Sequence, residues 1–234
     1  MIRTLDPEEL RGLIALEVRQ PLRALQGRET FLHRGADGRA IVVKRSRPGA
    51  KPGGRREHEV LVRLAELGLP VPESLGFAAG PDGSVVAMER VAHVDTARDR
   101  LTRGDADERR ALLARIASLL ADLHRAGWCH RDFYAHHLLL REPTRELVLI
   151  DVGRAGRAPI PRGRWFVKDA GALLCSLPLH VGERERLTFV ARYLDRRGVV
   201  ERRARRRFVR AAFAKARRIA AHLPVETGVP RASA

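Results

Sequence analysis

The sequence predicts an α+β protein of two lobes, on three observations. Short β-type runs broken by turn signals fill residues 21–47 and 74–89, with one helical pattern between them. The composition changes over Val91–Asp105, which reads as a linker. Beyond it, helical periodicity dominates, interrupted by one short hairpin pattern. The expected units are 1–91, a small antiparallel-sheet lobe with one main helix, and 92–234, a mainly helical lobe, with a cleft at the linker.

Each element has a local cause. Leu25–Arg34 and Arg39–Lys44 flank Gly35-Ala36-Asp37-Gly38, a strong hairpin turn. The second run ends in Ala40-Ile41-Val42-Val43-Lys44, β-branched and then abruptly charged. Residues 46–54 are rich in Pro, Gly and basic side chains and read as a loop. Val60, Leu61, Leu64 and Leu67 fall at helical spacing within 55–67, and Gly68, Pro70 and Pro72 end that helix. Strands over Ser74–Ala78 and Ser84–Glu89 follow, joined by Pro81-Asp82-Gly83. Asp105 and Glu108 form a capping-box pattern. Behind them Leu112, Leu113, Ile116, Leu119, Leu120 and Leu123 make one apolar stripe that stops at Gly127. A polar loop (128–137), an apolar run (Leu138–Leu140), a turn near Pro143 and the strand Leu147–Ile150 come next, and helices fill the remainder from about Val167.

Composition narrows the function classes. With 44% hydrophobic residues among 234, the chain can bury a real core, so wholesale disorder is excluded. It has no run of about 18 apolar residues, so no transmembrane helix is expected. The start, MIRTLDPEEL, lacks an apolar signal core, and the expected location is the cytosol. Cys129 and Cys175 are the only cysteines, which rules out a disulfide framework and a cysteine-only zinc site. His124, Cys129, His130, His136 and His137 cluster in sequence but match no zinc spacing. Trp128 and Trp165 read as core or loop anchors. The net charge is +17, carried by 41 Arg and 4 Lys. Such a balance reflects either a GC-rich genome or an anionic partner.

Four features carry chemistry. Lys44 ends a strand, Glu57 starts the next helix, His130-Arg131-Asp132 follows the long apolar-striped helix, and Asp151 follows the apolar run Leu147–Ile150. A cation, an acid that orients it and two carboxylates after apolar elements suit Mg-nucleotide chemistry. One carboxylate holds the metal, the other accepts a hydroxyl proton, and the lysine steadies phosphate charge.

In this arrangement the sequence resembles the protein-kinase-like fold, and more narrowly the lipopolysaccharide kinase (Kdo/WaaP) family, which phosphorylates inner-core sugars of lipopolysaccharide. The segments that carry the resemblance are Leu25–Thr30, Arg56-Glu57 before Leu61 and Leu64, His130–Leu140, Ile150–Ala155 and Arg164–Asp169. The resemblance implies a bilobal kinase fold, ATP and Mg²⁺ as cofactors, and a sugar or glycolipid acceptor. It implies that Lys44 contacts the α- and β-phosphates and pairs with Glu57, and that Asp132 is the catalytic aspartate. Asp151 would ligate Mg²⁺, and His137, where protein kinases place an asparagine, would tune metal choice or contact phosphate. Glu89-Arg90-Val91 would be the hinge whose backbone holds adenine, and Asp169 would brace the catalytic loop. The stretch before Lys44 lacks G-x-G-x-x-G, so phosphate cover would fall to backbone N–H groups near Gly27–Thr30, with Arg28. Ile-Asp-Val-Gly stands for Asp-Phe-Gly, so a mobile Phe switch is not expected. The short chain after Asp169 leaves little room for peptide docking and favours a small or surface-exposed acceptor.

Residues 196–218 hold 11 basic residues and one acidic residue, Glu201, around an apolar stripe of Phe208, Val209, Ala212, Phe213, Ala216 and Ile219. Two readings stand: a last helix packed on its lobe with a solvated arginine face, or a basic helix on anionic lipid at the inner membrane face. Nucleic acid is not an expected partner, because few aromatics are available for stacking. The leading expectation is a kinase of a lipopolysaccharide-like sugar hydroxyl. The alternatives are a same-fold kinase with a small-molecule or protein Ser/Thr acceptor, and a non-catalytic basic scaffold for lipid or RNA.

Overall fold

Asp6-Pro7-Glu8-Glu9 opens the first helix, α1 (Pro7–Ala15). The Asp6 carboxylate accepts from the N–H groups of Glu8 and Glu9, and Glu9 accepts from the Asp6 N–H. That reciprocal cap satisfies orphan donors, and Pro7 sits where no donor is needed. Sequence periodicity placed no element here, because nine residues give it too few turns. The computed structural model describes residues 4–18, 20–35, 37–49, 54–160 and 163–222. Ala36 of the predicted turn, residues 50–53 of the predicted loop and the tail 223–234 lie outside them.

The chain divides into two units, Met1–Ala92 and His93–Ala234. In the first, five antiparallel strands run in the order β1-β2-β3-β5-β4. They are β1 (Arg23–Leu25), β2 (Arg28–Arg34), β3 (Ala40–Ser46), β4 (Ser74–Gly80) and β5 (Gly83–Glu89). The predicted strand Leu25–Arg34 is two strands, because Gln26 and Gly27 take positive φ values of 47° and 76°. Two such residues make the mirror-image turn that matches strand twist. Period-2 alternation then sorts the sheet faces. Phe31, Ile41, Val43, Val85 and Ala87 pack with Leu10 and Leu13 of α1. Gly76, at φ 141°, lies so close to α1 that a Cβ there would stand 2.7 Å from Leu10. Arg45 is buried on this face and donates to the carbonyls of Leu13, Ile14 and Leu16 at the end of α1, while pairing with Glu29. A cation at a helix C-terminus is favoured by the helix dipole. The opposite face carries α2 (Gly54–Glu66), which buries Val60, Leu61 and Leu64.

In the second unit the predicted linker 91–105 holds two elements, β6 (His93–Thr96) and α3 (Ala97–Arg103). Thr96 and Asp99 form a capping box, a signal spread over too few residues to show as periodicity. The long helix α4 (Ala106–Arg125) starts at the Asp105–Glu108 box and buries the leucine stripe. The polar loop 128–137 includes β7 (Trp128–Cys129) and a 3-10 turn, Ala135–His137. The apolar run becomes β8 (Leu138–Arg141), paired with β6 on one side and β9 (Leu147–Leu149) on the other. β10 (Gly156–Arg157) pairs with β7. Three helices follow: α5 (Gly163–Ser176), α6 (Glu183–Arg196) and α7 (Arg202–Ala220). Helix α7 buries Ala212, Ala216 and Ala220 and packs along α5, so the apolar stripe of the C-terminal helix is turned into its own unit. Among the described residues no helix is long and apolar enough to cross a membrane.

Candidate active site

In the first unit, strand alternation that buries Val43 puts Lys44 on the α2 face, opposite Thr30 on β2. Its Nζ lies 2.6 Å from Glu57 Oε1 in the first turn of α2. Glu57 is buried and Lys44 half-buried, so the pair is held away from bulk water. Arg28 lies opposite Ser46, two residues along the same face of the sheet. The Gly27 carbonyl accepts from the Arg47 N–H at 2.8 Å, which fixes the hairpin tip. Over Arg28–Thr30, β2 has a neighbour strand on both sides, so those backbone groups are committed to the sheet. Glu89 ends β5, where its N–H donates to the Glu73 carbonyl and its carboxylate accepts from the Glu73 N–H. Val91 is buried just beyond it.

In the second unit, Asp169 on α5 is fully buried. Its Oδ2 accepts from the His130 N–H and its Oδ1 from the Arg131 N–H, both at 2.7 Å. His124 Nε2 lies 3.2 Å from Oδ2. The Tyr193 hydroxyl accepts from Arg197, so its proton goes to His124 Nδ1, and the Nε2–H of a neutral imidazole donates to Asp169. Burial drives this: desolvation outweighs the attraction of Asp169 and lowers the His124 pKa from 6.5. Arg131 takes φ 72°, an uncommon conformation for a residue with a Cβ. The Asp169 bond and the stacking of its guanidinium on Trp165 hold it there.

The backbone is thereby turned to present Asp132. The Asp132 carbonyl accepts from the Tyr134 N–H and from His137 Nδ1, both at 2.8 Å. Its carboxylate lies 3.0 Å from Arg154 Nη1 and 3.8 Å from Lys168 Nζ. His130 Nε2 meets the Ile150 carbonyl at 3.1 Å, and the Ile150 N–H meets the His137 carbonyl at 2.9 Å. These bonds tie the Asp132 loop to Asp151. Asp151 takes φ 57°, a left-handed conformation that Asp tolerates, and its side chain is 47% exposed. His137 Nε2 stands 3.8 Å from Asp151 Oδ2. No cluster of three or more His, Cys, Asp or Glu side chains suited to a metal occurs among the described residues. The half-exposed Asp151 carboxylate still fits Mg²⁺, which keeps several waters and takes further oxygens from substrate phosphates, with the His137 imidazole beside it.

The structure therefore brings Lys44 to Glu57 in one unit, and Asp132, His137, Asp151 and Asp169 into one bonded set in the other. Sequence reasoning assigned no role to Arg154 or to Lys168, the two cations on Asp132. Their signal was faint: Lys168 is one of 4 lysines and precedes Asp169, and Arg154 follows Asp151 by three residues. Partial burial, with Arg154 and Lys215 nearby, pulls the Lys168 pKa below the ordinary lysine value, while Asp132 opposes that.

This architecture is the protein-kinase-like phosphotransferase fold. An aminoglycoside 3'-phosphotransferase of type VIII aligns with a TM-score of 0.58 and 22% identity over 84% of this chain and 91% of its own. An aminoglycoside phosphotransferase of Streptomyces rimosus, in complex with ADP and streptomycin, aligns with a TM-score of 0.59 and 19% identity over 84% and 92%. Within that fold the match is narrower. The model of the lipopolysaccharide kinase (Kdo/WaaP) family matches residues 11–193, and the chain belongs to this family. The lipopolysaccharide core heptose(I) kinase WaaP of Pseudomonas aeruginosa is 32% identical over 213 residues, 81% of this chain and 79% of its own. A 3-deoxy-D-manno-octulosonic acid kinase of Xylella fastidiosa is 32% identical over 141 residues, 56% of this chain and 55% of its own. The protein is accordingly a kinase, a phosphotransferase with ATP as donor and an alcohol group as acceptor.

Proposed function

We propose that this chain transfers the γ-phosphoryl group of ATP to a hydroxyl of an inner-core lipopolysaccharide sugar, a heptose or 3-deoxy-D-manno-octulosonic acid. One observation carries the residue assignment: the Asp132 loop is bonded to Asp169 behind it and to Asp151 beside it, as a positioned general base and metal ligand require. The relatives named for heptose and keto-sugar acid kinases support the acceptor class.

The chemistry runs through this chain's side chains. Asp132 accepts the proton of the acceptor hydroxyl as its oxygen bonds to the γ-phosphorus. The bond from that phosphorus to the bridging oxygen breaks, and ADP leaves with the electron pair. Lys44, held by Glu57, stabilises charge on the α- and β-phosphates, with Arg28 and the Gly27 tip on the same hairpin. Glu89, at the end of β5, and Val91 just beyond it bound the hinge whose backbone takes the adenine. Asp151 and His137 would hold Mg²⁺, which supplies charge neutralisation for the triphosphate when bound. Catalysis is mostly positioning and electrostatics. The workplace is the cytoplasmic face of the inner membrane, approached by the exposed arginine face of α7 through charge, since the apolar stripe is packed on α5.

Asp132→Asn keeps the shape and removes the base. Phosphoryl transfer to lipopolysaccharide core oligosaccharide should fall by about 10²–10⁴ in kcat, with ATP binding retained. Transfer at the wild-type rate in this variant would refute the role of Asp132.

A further inference from the structure

Beside the Asp132 carboxylate, wholly within the second unit, lies an open pocket of about 750 Å³. Its charged lining is all of one sign: Arg154, Arg164, Lys168, Lys215 and Arg218. No carboxylate is among the described residues that line it. The cations come from three separate elements. Arg154 follows Asp151, Arg164 and Lys168 are i, i+4 on α5, and Lys215 and Arg218 are i, i+3 on α7. Side chains at those spacings share one helix face, so docking of α5 on α7 aims four cations into one space. Trp165 adds a flat wall, over which Arg164 lies at 5.2 Å.

Two of these cations also hold the catalytic carboxylate, Arg154 at 3.0 Å and Lys168 at 3.8 Å. The pocket and Asp132 are thus adjoining parts of one surface. Like charges gathered in a concave, partly desolvated space repel one another and oppose folding. Asp132 offsets part of that charge, and none of the described residues that line the pocket carries a negative charge. An anion would offset the rest, and a guanidinium–ammonium cluster recognises carboxylate or phosphate oxygens through charge-assisted hydrogen bonds. The same cations repel a polycationic acceptor.

We propose that this pocket binds a second anionic group on the acceptor, a carboxylate or phosphate borne near the hydroxyl presented to Asp132, with Lys215 and Arg218 as specificity-determining residues. The proposal rests on the reading of Asp132 as the catalytic aspartate and deepens it: the acceptor is an acidic sugar assembly, recognised by an anion that does not react.

The test uses the full chain, ATP, and deacylated lipopolysaccharide core oligosaccharide in three forms: intact, with its carboxylates reduced to alcohols, and with its phosphates removed. Lys215→Ala and Arg218→Ala should each raise KM for the intact form by about tenfold or more, the loss expected of a charge-assisted hydrogen bond, with kcat changed less than threefold. The modified form that has lost the recognised anion should show a raised KM with wild-type protein, and the two substitutions should add little to it. Which form that is tells carboxylate from phosphate. Equal KM for all three forms, or substitutions that move KM for ATP and not for the saccharide, would overturn the proposal. Arg218 is exposed on α7, so its variant keeps the test valid if Lys215→Ala disturbs the fold. Thermal stabilisation by Mg·ATP, measured alongside, reports the nucleotide site separately. Its absence would remove the kinase reading itself, whereas its presence with unmoved saccharide KM removes only the pocket.

Discussion

Asp169 is the residue on which the Asp132 loop is built. Its buried carboxylate takes the N–H groups of His130 and of Arg131, the latter at φ 72°. Asp169→Ala leaves both donors without that acceptor, at about 1–3 kcal/mol each. Urea unfolding should show a loss of about 2–5 kcal/mol, and transfer activity should vanish in the protein that remains folded; an unchanged midpoint would refute this. The neighbouring His124 sets a pH dependence. Burial lowers its pKa in the folded protein, while the unfolded chain titrates near 6.5. On acidification the unfolded state takes up the proton first, so this contribution is complete above about pH 6.5 and is lost as pH falls towards the folded value. Buried His130 shifts in the same direction for the same reason. Urea midpoints should therefore fall from pH 7 to pH 5, with a shallower slope in His124→Gln. Equal slopes in the two proteins would count against a buried neutral imidazole.

At the scale of elements, the contact of α5 with α7 depends on one glycine. A Cβ on Gly171 would stand 2.8 Å from Lys215 Cβ and Cγ and 3.2 Å from the Ala212 carbonyl. Gly→Ala inside a helix ordinarily gains about 0.5–1 kcal/mol, but overpacking a fitted contact costs about 1–3 kcal/mol. The second term wins, so Gly171→Ala should lower the Tm; a raised Tm would show that the helices are not so close. Elements were legible in the sequence where the signal was long. The stripe of α4, with its Asp105 cap, and the runs of β3 and β5 follow from periodicity alone. Short ones were not. Helix α1, β6 and α3 span 9, 4 and 7 residues, and each is held chiefly by caps and by packing on neighbours distant in the chain. The Gln26-Gly27 turn is not legible because Arg23-Ala24-Leu25 before it and Arg28-Glu29-Thr30 after it are mostly polar and exposed, so no alternation marks where one strand ends and the next begins.

For the whole molecule, a ligand that binds only the folded state stabilises it by about 2.7 kcal/mol at 100 times Kd. For a chain of 234 residues, Mg·ATP should raise the Tm by about 5–10 °C, and Asp151→Asn should abolish the Mg-dependent part. No shift at millimolar nucleotide would refute an ATP site. The order of strands and helices and the +17 charge are legible in the amino-acid sequence, which also singles out Lys44, Glu57, Asp132 and Asp151 by their places beside apolar runs, and Asp169 through the family resemblance. Packing in three dimensions brings Arg154 and Lys168 onto Asp132, turns His137 Nε2 toward Asp151, and lays α7 along α5. The physical reason is that periodicity reports which face of an element is apolar, whereas the partner of that face is chosen by packing. Five cations spread from Arg154 to Arg218 line one pocket only because two helices dock side by side.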